Sequence, residues 1–206
     1  MEQKLCENFV LPDVTFKTRV RFDDIMENPF EWKDITVSDY FSNKKCVLFA
    51  LPGAFTPTCS SSHLPGYEEL YDDFIKMGVD EVYCLSVNDA FVMRKWGLDQ
   101  GLEEDKEVGS LGFKKVKLIP DGTASFTRAV GMTCHWSTER GFGERSWRYS
   151  AFIDNCVVKK VFIEQPFIQN SEEDPFEVSD ARTMMQYLSN SNHFSNRSET
   201  VFSQSC

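Results

Sequence analysis

Hydrophobic positions along this chain come in short blocks whose period changes repeatedly. Cys46-Val47-Leu48-Phe49-Ala50-Leu51 is a continuous apolar block stopped by Pro52, the mark of a strand buried on both faces. From about Cys59 to Met77 the period lengthens: Leu64, Tyr67, Tyr71, Phe74 and Ile75 recur at helical spacing until Gly78 ends the helix. A strand over Glu81–Val87 and a helix from about Asp89 to Gln100 follow, with Asn88 or Asp89 as cap and Phe91 and Trp96 as core positions. A further strand, Val116–Ile119, turns at Pro120-Asp121-Gly122 into a short helix over Thr123–Val130, and residues 131–144 read as a loop. Trp147–Asp154 and Cys156–Phe162 form a predicted hairpin across Asp154-Asn155, and an acidic loop leads to a last helix from Ser179, its expected cap, to Leu188. Upstream, Val10–Phe22 and Ile35–Val37 predict an N-terminal hairpin, with a helical turn at Asp39–Phe41 capped by Ser38. This alternation predicts an α/β architecture, a mixed central sheet covered by helices on both faces.

The chain has 206 residues, 41% of them hydrophobic and 18 of them Phe, which suits one domain with a substantial core. We place that domain at residues 1–188 and read the Ser/Asn-rich stretch 189–206 as a mobile tail. Asp and Glu outnumber Lys and Arg 32 to 22, and the net charge of -10 argues against a nucleic-acid or anionic-membrane partner, since both require clustered basic residues. No apolar run nears the ~20 residues that span a bilayer. The start of the chain, Met1 to Glu7, lacks the apolar core of a signal peptide. The expected location is the cytoplasm, or an organelle reached by a leader that this sequence does not carry.

The 7 cysteines include no C-x-x-C pair, which suits free thiols in a reducing compartment rather than a disulfide framework. Cys59 with His63, and Cys134 with His135, lack third and fourth ligands, so no metal site is expected. Cys46, Cys84 and Cys156 fall in strand-like windows, where a thiol behaves as a small apolar side chain.

Cys59 is different. Pro52-Gly53-Ala54-Phe55-Thr56-Pro57-Thr58-Cys59 joins the apolar strand to the following helix, so it places this thiol at a helix N-terminus. There the first backbone N–H groups lack intrahelical acceptors and the macrodipole is positive, which favours thiolate over thiol. A lone cysteine is more often inert than reactive, but two prolines, a threonine one turn earlier and the strand-loop-helix setting reverse that expectation here. Strand parity adds an arginine: Trp147, Tyr149, Ala151 and Ile153 share one face, leaving Arg148, Ser150 and Phe152 on the other.

The stretch resembles the Pro-x-x-x-Thr-x-x-Cys signature of the peroxiredoxins. With PGAFTPTCSSSHLPG over 52–66, CLSVNDAFVMRKW over 84–96 and GFGERSWRY over 141–149, the chain is similar in order, over about residues 8 to 188, to the type II or atypical branch of that family. The resemblance implies a thioredoxin-like fold, which the element order also suits. It implies that Cys59 is the peroxidatic nucleophile, Thr56 the hydroxyl that bonds sulfur and peroxide, Pro52 the ring that shields the thiolate, and Arg148 the arginine beside it. His63 matches a position near the pocket, or else lies on the helix surface; Arg145 and Thr58 are further pocket candidates. The implied activity is thiol-dependent reduction of hydrogen peroxide and alkyl hydroperoxides, in antioxidant defence. It needs no cofactor beyond an external thiol reductant, and it implies a non-covalent homodimer with Phe55 facing the partner.

One departure bears on recycling. The position of the resolving cysteine in the mammalian atypical enzyme is Val178 here, and Cys84, which matches the second cysteine of plant type II members, sits mid-strand. Cys84 is therefore expected to be structural, with Cys134, Cys6 and Cys206 as remoter candidates. That predicts a one-cysteine mechanism recycled by glutathione with glutaredoxin, or by thioredoxin. The alternatives are a redox-sensing protein that relays oxidation of Cys59 to clients, and a silent scaffold.

Overall fold

The computed structural model describes residues 5–23 and 27–190. The tail expected over 189–206 and Cys206 therefore fall almost wholly outside the described residues. The centre is a five-stranded mixed sheet in the order β5-β4-β3-β8-β9. β3 (Lys45–Ala50), β4 (Glu81–Ser86) and β5 (Lys117–Pro120) run parallel, and β8 (Tyr149–Asp154) and β9 (Val157–Ile163) are antiparallel additions beyond β3. This is the thioredoxin-like arrangement the element order predicts.

Residue parity builds two cores from one sheet. Cys46, Leu48 and Ala50 of β3, Tyr83 and Leu85 of β4, and Tyr149, Ala151 and Ile153 of β8 face one side, with Trp147 just before β8. There they meet Val37, Tyr40 and Phe41 of α1 (Val37–Phe41) and Phe126 of α5 (Ser125–Ala129). Val47, Phe49, Val82, Cys84 and Phe152 face the other side, against Met93 and Trp96 of α4 (Ala90–Asp99) and Ala181, Met184 and Leu188 of α6 (Ala181–Ser189). Cys59 belongs to this second core.

Several sequence-based boundaries move. The N-terminal hairpin pairs β1 (Thr15–Arg21) with β2 (Phe30–Thr36), so the second strand starts well before Ile35. Its exposed Glu31, Lys33 and Asp34 hide the strand pattern. Thr36, not Ser38, caps α1, in a capping box with Asp39. Asp180 caps α6 in place of Ser179, accepting from the N–H groups of Arg182 and Thr183. Residues 131–144, expected as loop, contain β6 (Thr133–Trp136) and enter β7 (Gly143–Ser146), which pair antiparallel across a 3-10 turn at Thr138–Arg140. Phe91 is not core. It is 55% exposed and packs edge-on against Trp32, with the Arg19 guanidinium 4.7 Å from its ring centre, while Trp96 is fully buried as expected.

The helix predicted over 59–77 is three pieces. Cys59–His63 is a π-turn, α2 (Leu64–Glu69) follows, and α3 (Tyr71–Lys76) starts after a break at Leu70. Pro65 has no N–H to give the carbonyl four residues back, and the ladder shifts so that Leu64 donates to the Cys59 carbonyl instead. The extra residue in that turn rotates His63 and Tyr67 into the core, where both are fully buried. His63 therefore does not lie on the helix surface.

Candidate active site

After β3 the chain stays buried through Leu51, Pro52, Gly53 and Ala54 as it crosses the end of the sheet. The N–H of Ala54 donates to Asn88 Oδ1 at 3.0 Å, and Ser86 Oγ donates to the same oxygen at 2.8 Å, tying the loop after β3 to the loop after β4. Gly53 is closely packed: a Cβ there would lie 3.0 Å from Arg145 Nη1 and 3.3 Å from Thr56 Cγ2, so both side chains would have to shift. Phe55 takes up the turn with φ of 65°, a left-handed conformation, and the residue is 51% exposed.

Thr56 closes the loop on itself. Its hydroxyl donates to the Gly53 carbonyl at 2.8 Å, so in this arrangement its proton is committed and its lone pairs are what it offers a neighbour. The helix begins at Pro57, two residues before Cys59, a position suited to proline's fixed φ and missing N–H. Ser60 makes the first bond to a carbonyl four residues back, to Thr56 at 3.1 Å. The N–H groups of Thr58 and Cys59 have no backbone acceptor among the described residues. Trp96 Nε1 donates to Ser60 Oγ at 3.0 Å and anchors this turn to α4. Cys59 itself is fully buried.

Two arginines pack near this turn by different routes, Arg148 against His63 at its end and Arg145 against Gly53 of the loop before it. Arg148, one residue before β8, is fully buried, and it lies opposite the Trp147 face as parity predicts. Its guanidinium pairs with Asp174, lies 5.5 Å from the Phe176 ring centre, and places Nη1 3.0 Å from His63 Nδ1. Its Nε is a buried donor with no partner among the described residues. Arg145 in β7 is half-buried, with Nε held by the Phe142 carbonyl at 3.0 Å and its guanidinium against Gly53. Burial lowers its pKa and the nearby Cys59 opposes that, which puts Arg145 within electrostatic reach of the sulfur.

His63 lies between the rings of Phe49 and Phe176, at 4.8 and 4.9 Å. Since arginine only donates, Nδ1 accepts from Arg148, and Nε2 donates to the Ser179 carbonyl at 3.2 Å. Burial first, and the Arg148 charge second, push its pKa well below the usual imidazole value. The imidazole is therefore held neutral.

Cys84 is fully buried in β4, opposite Phe49 and on the same core side as Cys59. Burial pushes its thiol pKa well up, with Cys59 as the next cause. Val178 is partly exposed and its N–H donates to Glu164. Cys134 is buried, its thiol donating to the Ile168 carbonyl at 3.0 Å, and Cys6 is exposed. A cavity of about 200 Å3 opens beside the signature loop, between Pro52, Thr56 and Thr58 on one side and Trp136, Phe142 and Asp174 on the other. Asp174, Phe176 and Glu164 were invisible as site residues from sequence. The one signal was a lone carboxylate, Glu164, directly after the apolar run Val161-Phe162-Ile163.

With that geometry in place, the relatives are decisive. The family model described as Redoxin matches residues 12–184. Peroxiredoxin sll1621 of Synechocystis is 52% identical over 86% of this chain and 88% of its own length. The chain belongs to the peroxiredoxin family. It is a thiol-dependent peroxidase. Among solved structures, the Plasmodium falciparum antioxidant protein, described as a 1-Cys peroxiredoxin, superposes with a TM-score of 0.79 at 35% identity, covering 90% of this chain and 100% of that one. A reduced peroxiredoxin of Vibrio vulnificus in complex with hydrogen peroxide superposes with a TM-score of 0.72 at 37% identity, covering 92% and 99%. Among the described residues, no helix is long and apolar enough to cross a membrane.

Proposed function

We propose that Cys59 is the peroxidatic nucleophile of a one-cysteine peroxidase, that it acts on hydrogen peroxide and alkyl hydroperoxides, and that an external thiol recycles it. The Cys59 thiolate attacks the nearer peroxide oxygen, the O–O bond breaks, and the leaving oxygen takes up a proton as water or an alcohol while sulfur becomes sulfenic acid. Charge moves along the line from sulfur to the leaving oxygen, so donors along that line stabilise the transition state. The N–H groups of Thr58 and Cys59 and the guanidinium groups of Arg148 and Arg145 supply them. Thr56 accepts from the peroxide O–H, and Pro52 keeps water from the sulfur.

The observation that carries this reading is the buried Cys59 at the start of its helix, in the turn whose last residue, His63, bonds Arg148, and after the Thr56 loop against which Arg145 packs. The recycling route follows from what surrounds the sulfur. Cys84 is locked mid-strand and Val178 stands where a resolving cysteine would be needed, so a bridge to Cys59 would require the helix start to unwind. The 1-Cys Plasmodium relative supports the same assignment. Glutathione with glutaredoxin, or thioredoxin, then returns the sulfenic acid to thiol, with no resident cofactor, in the cytoplasm.

A steady-state peroxidase assay tests the reading. Turnover with glutathione and glutaredoxin, accompanied by a glutathione mixed disulfide on Cys59, is expected. A dominant Cys59–Cys84 disulfide reduced only by thioredoxin would replace the one-cysteine mechanism with a two-cysteine one.

A further inference from the structure

We propose that Glu164 is a positioning residue for peroxide reduction: its buried carboxylate pins the segment 174–179, and through that segment it holds Arg148 and His63 in place beside Cys59. The inference rests on the reading above that Arg148 acts at Cys59.

Glu164 directly follows β9 and is 1% exposed. Its carboxylate gathers three consecutive backbone N–H groups: Glu177 donates at 3.0 Å to both oxygens, and Val178 and Ser179 donate to Oε1 at 3.0 and 2.8 Å. Ser179 Oγ adds a fourth donor at 2.7 Å. A carboxylate this buried persists because its lone pairs are met by donors, and three successive N–H groups turned to one point form an anion nest. Its backbone ties the same residue to the site from the other side. The Glu164 N–H donates to the Arg148 carbonyl at 3.2 Å, and its own carbonyl accepts from Trp147 Nε1 at 2.8 Å.

The pinned segment makes contacts that orient the site. Asp174 pairs with the Arg148 guanidinium, Phe176 covers both Arg148 and His63, and the Ser179 carbonyl accepts from His63 Nε2 and from the Tyr67 hydroxyl at 2.9 Å. Without the pin, 174–179 is held by its bonds to Arg148, His63 and Tyr67, the groups it is there to position, so Asp174 and the Phe176 ring are free to shift away from Arg148. A glutamine at 164 keeps the size but carries one acceptor oxygen and an NH2 that faces N–H donors.

The test is a double-mutant cycle on the second-order rate of Cys59 oxidation by hydrogen peroxide, using full-length wild type, Glu164→Gln, Arg148→Met and the double variant. Methionine keeps the buried stem of Arg148 without its charge. Glu164→Gln should slow oxidation about tenfold or more in the wild-type background, the scale of a displaced positioning contact, and less than about twofold once Arg148 is gone. A merely structural residue would instead lower the melting temperature and cost the same factor in both backgrounds, and that result, or no rate loss at all, would overturn the proposal. If Glu164→Gln does not fold, Glu164→Asp, which keeps the charge but withdraws it by one methylene, is put through the same cycle with the same criteria. If Arg148→Met alone oxidises at the wild-type rate, the reading of Arg148 itself fails; if it is slow and Glu164→Gln is not, only the pin fails.

Discussion

His63 Nδ1 accepts a hydrogen bond from Arg148 Nη1 at 3.0 Å, and this one contact fixes the imidazole as its neutral Nε2–H tautomer. The arginine cannot accept, so a protonated His63 would set two donors against each other inside the core. The pair is therefore a buried polar unit at the end of the Cys59 turn rather than an acid–base couple.

Acid should expose that unit. The folded pKa of His63 is depressed below the unfolded value of about 6.5, so between the two the unfolded chain binds more protons and stability falls as pH falls below about 6.5. The loss contributed by His63 has a limiting slope of about 1.4 kcal/mol per pH unit. Urea midpoints of the wild type should drop between pH 7 and pH 5.5, whereas His63→Asn should start lower at pH 7 and change less over that range. Equal slopes for the two proteins would show that His63 protonates freely in the folded state.

Arg148 and Thr56 should act on the transition state more than on ionisation. An unperturbed thiol is ~3% ionised at pH 7, so complete ionisation can raise the rate at most ~30-fold, and less after the lost nucleophilicity. A well-placed donor to developing charge is worth ~100-fold or more. Arg148→Met should therefore slow peroxide reduction by more than its effect on the thiolate fraction of Cys59, read from its ultraviolet absorbance, accounts for, and so should Thr56→Val, which removes the acceptor that orients the peroxide O–H. Rates that track the thiolate fraction alone would reduce both residues to acidity control.

Phe55 should lie in a subunit contact. Phe55 is half exposed on a turn held at φ of 65°, a conformation that costs energy for a bulky residue. Sedimentation of the reduced protein should give about twice the chain mass, and Phe55→Glu should shift it to the monomer. A wild-type monomer across micromolar concentrations would remove Phe55 from any interface.

Much of this was legible in the sequence because strand and helix periods carry it. The apolar run 46–51 marked the central strand, and alternation over 147–153 separated Arg148 from the Trp147 face. Proline and glycine around Thr56 marked the turn that aims Cys59. What sequence hid depends on contacts between distant segments. Pro65 signals a disturbed helix, but not that a π-turn absorbs it and rotates His63 inward. Phe91 fits the apolar side of α4, yet the face it occupies meets Trp32 of the hairpin rather than the sheet. Glu164 and Asp174 look like solvated acids, because the donors that claim them lie 13 to 26 residues away along the chain.

The central claim is that one sulfur, Cys59, does the chemistry. Peroxide consumption with a thiol reductant, measured for wild type, Cys59→Ser, Cys84→Ser and Cys46→Ser, tests it most directly. Cys59→Ser should consume hydrogen peroxide no faster than buffer, while Cys84→Ser and Cys46→Ser, which remove thiols that burial holds protonated, should keep most of the wild-type rate. Substantial turnover by Cys59→Ser would contradict the assignment.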